Sequence, residues 1–182
     1  MHKDTIRAFS ITELLITTAL IAIIVQIGMP AMTNLTDKMK SNNELSSLHI
    51  LIAQARQAAI LRNTTTTICP LIDNSCTDNW NNTLALFTDE NRNNRLDADE
   101  TLLGHINAAP ANVMRTFTGS TIGFDARGFS GFRTGSLGYC RTGTSTYSGS
   151  FIISRVGRIR RGSDSNGDGI AETASNKNVR CP

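Results

Sequence analysis

Histidine is scarce in this chain, three scattered residues in 182 (His2, His49 and His105), and none of its four cysteines forms a CxxC pair. Zinc sites and dithiol redox motifs need such residues at short fixed spacings, so both are excluded. The sequence has no glycine-rich phosphate loop and no nucleophile accompanied by a base and an orienting partner, which removes the common catalytic classes. Aromatic residues make up only 5% of the chain, too few to suggest a stacking surface. Lysine is missing from residues 115–161, where every cation is an arginine. Long apolar runs are missing everywhere except in one place.

That place is residues 9–29, interrupted only by Ser10, Thr12, Glu13, Thr17, Thr18, Gln26 and Gly28. At about 1.5 Å per residue the run covers about 30 Å, the hydrocarbon thickness of a bilayer. It does not read as a cleavable secretory signal, because no small-x-small site follows the apolar core. Lys3, Arg7 and the small Ala8 precede it instead. Glu13 is the anomaly, since a carboxylate at bilayer depth costs on the order of 2.5 kcal/mol or more unless it gains a partner.

Beyond the run, Met32, Leu35 and Met39, then Leu45, Leu48, Ile52, Ala55 and Ala59 recur at spacings of three and four, with Asn42 breaking the row. This predicts one helix continuing to about residue 62, bent near Gly28 by Pro30. Residues 63–182 then change to short β segments divided by Gly, Asn, Asp and Ser, with strands predicted at 64–68, 84–88, 101–106, 113–117, 121–124, 137–141 and 150–156. The apolar face of such an antiparallel sheet needs cover, and the amphipathic half of the helix is the only long element able to supply it. The reading is α+β, with one head domain of about 120 residues. Four cysteines, Cys69, Cys76, Cys140 and Cys181, allow three connectivities. Closeness in sequence favours 69 with 76 and 140 with 181, bridges that require an oxidising compartment.

The leader Ala8-Phe9-Ser10-Ile11-Thr12-Glu13 resembles the class III signal of type IV pilins and type II secretion pseudopilins. The resemblance implies a leader peptide of residues 1–8, cleavage between Ala8 and Phe9 by a prepilin peptidase, and N-methylation of Phe9. Ala8 stands where the family usually has Gly. Glu13 falls at the fifth position after the cut, where pilins carry the glutamate that neutralises a neighbouring subunit's N-terminal amine, and Pro30 falls where they carry a helix-kinking proline. In the head, Leu86-Phe87-Thr88-Asp89-Glu90-Asn91-Arg92-Asn93, Phe124-Asp125-Ala126-Arg127-Gly128 and Ile152 to Arg160 are similar to the GspH/FimT family of minor pilins and pseudopilins. The division this implies is a leader (1–8), a transmembrane half-helix (9–29), an amphipathic half-helix (30–62) and a periplasmic or extracellular head (63–182). The subunit would sit in the inner membrane by a single pass and then in a pilus at the cell surface, joined to other pilins through its N-terminal helix.

Two acidic loops have partial calcium-ligand spacing. Asp89, Asn91, Asn93, Asp97 and Glu100 follow the order of an EF-hand loop, but Asn94 stands where that loop needs Gly. Asp164, Asn166 and Asp168 with Gly169 do so too, with Glu172 as a further oxygen, but Ser175 takes the place of the bidentate carboxylate. Turn chemistry is the competing reading of both.

Charge is unevenly placed. Residues 73–100 carry seven acidic groups against Arg92 and Arg95, whereas residues 115–161 carry eight arginines (115, 127, 133, 141, 155, 158, 160 and 161) against Asp125 alone. Arginine forks suit bidentate phosphate contacts. In Arg155 to Arg161, strand alternation sets Arg158 and Arg160 on one face with Ile159 turned inward. Gly157, Arg158 and Arg160 resemble the GRxR motif of FimT-type minor pilins, which that family associates with DNA capture in natural transformation, and Arg155 and Arg161 flank it. The expected function is thus a minor pilin of a type IV pilus that contributes to pilus assembly and its tip complex, with the head binding double-stranded DNA through phosphate contacts. The alternatives are a type II secretion pseudopilin, or a tip subunit whose arginines pair with acidic neighbours.

Overall fold

The computed structural model describes residues 10–143 and 145–182, except that the side chains of residues 27, 28, 30 and 31 lie outside the description. Helix α1 (Ile11–Arg62) is 52 residues long, about 78 Å at the α-helical rise. Ser10 caps it by accepting from the Glu13 N–H at 3.2 Å. It ends where Asn63 turns left-handed (φ 51°) and its N–H reaches back to the Ala59 and Ile60 carbonyls. Arg62 in the last turn complements the helix dipole.

The two halves of α1 differ in what covers them. Leu45, Leu48, Leu51, Ile52, Ala55 and Ala59 are buried in the main core, while Ile11, Leu14, Leu15, Ile16, Leu20, Ile21, Ile23, Ile24 and Val25 are exposed, as are Met32, Leu35 and Met39. An apolar surface that runs all round a helix calls for lipid or other helices around it. Among the described residues no helix is long and apolar enough to cross a membrane. The predicted leader 1–8 with Ala8, the first residue Phe9 of the predicted span 9–29, and the side chain of Pro30 lie outside the described residues.

The head consists of two antiparallel sheets, not the single one the sequence suggested. In the first, β1 (Thr66–Ile72) pairs on one side with β3 (Leu84–Thr88), which pairs with β4 (Leu102–Ile106); on its other side β1 pairs with β2 (Ser75–Cys76) and β6 (Ile122–Phe124). The second has the order β5 (Val113–Phe117), β7 (Gly135–Arg141), β8 (Tyr147–Ile153) and β9 (Ile159–Arg161). Helix α1 contacts both sheets and shares one core with them, in which Leu48 and Ile52 meet Ile68, Leu86, Phe124, Leu137, Tyr139 and Ile153. The Thr66 hydroxyl donates to the Ala55 carbonyl at 2.9 Å, so the first strand is tied to the helix by a polar contact as well.

Two strands escape the sequence pattern. β2 and β9 have two and three residues, too short to show a period. The strand expected at 150–156 lies at Tyr147–Ile153, because the chain turns at Ser154. Cys69 is bonded to Cys76 and Cys140 to Cys181, with Cα atoms 5.5 and 5.0 Å apart. The first closes the β1–β2 hairpin. The second draws the tail back onto β7, where Ala171 and Val179 pack with Cys140 in a small separate core, and the Ser150 hydroxyl donates to the Glu172 carbonyl at 2.5 Å.

Candidate functional site

The eight arginines of residues 115–161 divide by what they touch. Arg115 is buried, donates to the carbonyls of Asn81, Asn82 and Asn107 at 3.0 to 3.1 Å, and is held below the ordinary guanidinium range by that burial. Arg133 donates to the Thr67 hydroxyl at 2.5 Å and to the fully buried carboxylate of Asp89 at 3.4 Å. Arg141 pairs with Glu44 of α1 at 3.0 Å and donates to the Tyr139 hydroxyl at 3.2 Å. Arg127 pairs with Asp125 at 3.0 Å on the surface. These four hold the fold or their own turn together. Arg155, Arg158, Arg160 and Arg161 are exposed, and among the described residues none of them has a carboxylate within ion-pair distance.

The local chain explains why these four stand free. Residues 154–158 form a tight turn, with the Ser154 N–H donating to the Arg158 carbonyl at 3.0 Å, the Gly157 N–H to the Ser154 carbonyl at 2.9 Å and the Arg158 N–H to the Ser154 hydroxyl at 3.1 Å. The turn leads into β9, the edge of the second sheet, where Ile159 pairs with Ile153 and packs against the main core while Arg160 pairs with Ile152. Ile159 is therefore the inward residue and Arg160 projects from the opposite face. Arg161 shares the side of Ile159, near His49 and Phe151.

Gly157 has a positional part. It is buried, its φ is 75°, and a Cβ built there would collide with the Gly128 carbonyl oxygen. Only glycine lets the turn lie this close to the loop of residues 125–133. Two N–H groups of that loop, Ser130 and Gly131, donate to the Arg155 carbonyl at 3.0 Å each, and Arg56 of α1 donates to the Gly128 carbonyl at 3.0 Å. Turn, loop and the end of the helix are thus stitched together at the head's far end from the helix N-terminus.

The loop brings residues that the sequence reading passed over. The Arg155 guanidinium lies 5.5 Å from the centre of the Phe132 ring, which is 93% exposed, and Arg127 lies 5.2 Å from that of Phe129. A phenylalanine in the run Gly128-Phe129-Ser130-Gly131-Phe132 was the available signal, because an apolar ring in a turn segment has no core to enter. Asp125 organises this loop through the N–H groups of Arg127 and Phe129. Partial burial pushes its carboxyl up, but those bonds and the Arg127 guanidinium outweigh it, leaving the group below the usual range.

The calcium-spaced residues serve turns. Asp97 accepts from the Asn91 and Asn93 amides at 2.9 and 2.7 Å, which lowers its pKa, while Asp89 points away to Thr67 and Arg133 and Glu100 accepts from the Glu90 and Asp97 N–H groups. In the tail, Asp164 accepts from the N–H groups of Gly167 and Gly169, Asn166 from that of Asp168, and Asp168 from that of Ile170, with Glu172 taken up by Ser165. Among the described residues no group of three or more His, Cys, Asp or Glu is placed to hold a metal ion. Glu13 lies in the first turn of α1 with an exposed side chain.

The family model of the type II transport protein GspH matches residues 44–157, from the packed half of α1 to the basic turn. Two crystal structures of the Pseudomonas aeruginosa type IV minor pilin FimU are similar to the chain at 16% identity. They cover 69% and 68% of it and 90% of their own length, with TM-scores of 0.45 and 0.41. No curated protein matches the chain.

Proposed function

The chain belongs to the GspH family, a minor pilin or pseudopilin and no enzyme, and from that premise we propose that it serves the assembly and tip complex of a type IV pilus, where it presents a DNA-binding head. In this reading a prepilin peptidase cuts between Ala8 and Phe9 and methylates Phe9. The exposed apolar half of α1, with the residues before it, anchors the subunit in the inner membrane with its head in the periplasm. Assembly then moves α1 out of lipid and among the helices of other pilins, where Glu13 gains the cationic amine of a neighbour. A bend at Pro30, which the sequence predicts, would let that half-helix fit the filament.

One observation supports the nucleic-acid part: Arg155, Arg158, Arg160 and Arg161 are exposed and without acidic partners among the described residues, although Asp89, Asp125 and Glu44 have each taken another arginine. Arginines with internal partners would be structural; these are available to phosphate oxygens. Replacing Arg158 and Arg160 together by Gln should weaken duplex binding alike for all sequences, and flatten the dependence of log affinity on log salt by about 0.9 per lost phosphate contact. Unchanged affinity with an intact fold rules the reading out.

The family model's own description, a type II transport protein, favours a second reading. A pseudopilin would leave pili intact on deletion and block protein export, whereas a pilus subunit would do the reverse, so pilus counts and secreted activity in a deletion strain separate the two.

A further inference from the structure

We propose that Phe132 is a base-stacking residue, and that the head therefore holds single-stranded nucleic acid more tightly than duplex. This inference rests on the nucleic-acid reading above and adds a substrate form to it. Phe132 is the most exposed large apolar side chain of the described residues, at 93%, although leaving a phenylalanine in water forgoes on the order of 2 kcal/mol of burial. The backbone that carries it is held: the Ser130 hydroxyl donates to the Arg133 carbonyl at 2.7 Å, the Arg133 N–H returns to the Ser130 carbonyl at 2.9 Å, and the Gly131 N–H donates to the Arg155 carbonyl. Ring and guanidinium therefore come from two segments tied to each other, with Arg155 5.5 Å from the ring centre.

The arrangement repeats three residues earlier, where Arg127 lies 5.2 Å from the Phe129 ring. Both rings line one concave surface. That surface also holds Arg92, Arg127, Arg133 and Asp125; Arg127 and Arg133 are taken up by Asp125 and Asp89, so the cations beside the rings with no carboxylate partner among the described residues are Arg92 and Arg155. Rings that stack bases beside arginines that hold phosphates are the working parts of single-strand binding sites. A duplex hides its base faces and offers such a surface only its phosphates, which Arg158 and Arg160 can take without any ring. The phenylalanines gain a partner only when bases are unstacked.

The test measures the full chain in detergent against a fluorescent thirty-nucleotide single strand and the same sequence as duplex, at one salt concentration. The wild-type chain should prefer the single strand. Phe132→Ala should weaken single-strand binding at least about fivefold while leaving duplex binding within about twofold, and Phe132→Trp should restore it. The double change Arg158→Gln with Arg160→Gln should weaken both. A wild-type chain that binds duplex but shows no loss for single strand in Phe132→Ala overturns this inference and leaves the phosphate reading standing; a chain that binds neither form overturns both. If Phe132→Ala instead lowers recovery of neighbouring pilins with the filament while single-strand affinity is unchanged, the ring is a subunit contact and the inference fails.

Discussion

Replacing Gly157 by Ala is the sharpest probe of how this head presents its cations. The residue sits at φ 75°, and a Cβ there runs into the Gly128 carbonyl oxygen. Left-handed backbone costs a non-glycine residue about 1–2 kcal/mol. Relief of the collision must move the turn off the 125–133 loop, which removes the two hydrogen bonds from Ser130 and Gly131 to the Arg155 carbonyl, worth about 1 kcal/mol each net. The sum is about 3–4 kcal/mol, or a fall in melting temperature of roughly 10–20 °C for a head of this size. Gly131 supplies the control: its φ is also positive, at 56°, but nothing lies within 4 Å of its missing Cβ, so Gly131→Ala should cost only the backbone share. Trp80 is the chain's one tryptophan, is 3% exposed and packs 4.8 Å from the Phe117 ring, so its fluorescence during heating of the full chain in detergent reports the transition. Equal losses in the two variants would refute the claim that close approach, and not torsion alone, demands glycine at 157.

Three further outcomes are expected. Replacing Cys140 and Cys181 by Ser opens a bridge with a sequence separation of 41, and the loop-closure relation puts its contribution at about 4 kcal/mol, so melting of the full chain should fall by well over 5 °C; an unchanged value contradicts the docking of the tail. The depressed Asp125 carboxyl contributes stability that is complete above the unfolded carboxylate value of about 3.9 and is lost as pH falls through the folded value. Protection factors for hydrogen exchange in residues 125–129 should accordingly hold down to about pH 5 and fall below about pH 4, and Asp125→Asn should lose that acid step; protection that falls as pH rises would contradict the assignment. Glu13→Ala should abolish incorporation into filaments while the head melts as before, and normal incorporation would remove the role given to that carboxylate.

Much of this fold was legible because its signals are periodic. The three-and-four spacing of Leu45, Leu48, Ile52, Ala55 and Ala59 marks the face that α1 buries, and the strands at Leu84–Thr88 and Val113–Phe117 lie where alternation and turn residues put them. The division into two sheets was not legible, since strand partners are chosen by tertiary packing, and the helix can serve two apolar faces as readily as one. The candidate site was half legible. A run of arginines is visible in any sequence, but which arginines are consumed internally depends on contacts such as Arg141 to Glu44, 97 residues apart, and Arg133 to Asp89, 44 apart. Phe129 and Phe132 were overlooked for a related reason: composition counts aromatics over the chain, whereas the fold gathers two of its seven phenylalanines beside the guanidinium groups of Arg127 and Arg155.

The bridge between Cys140 and Cys181 encloses β8, the basic turn and β9 in one covalent ring. In the cell-surface setting proposed above, where proteases are common, the exposed stretch from Ser163 to Gly169 is the natural place for a cut. Such a cut would not release the arginines. The two fragments would stay joined through sulfur, run as one band without reductant and as two with it, and the nicked subunit would keep its cationic turn on the filament.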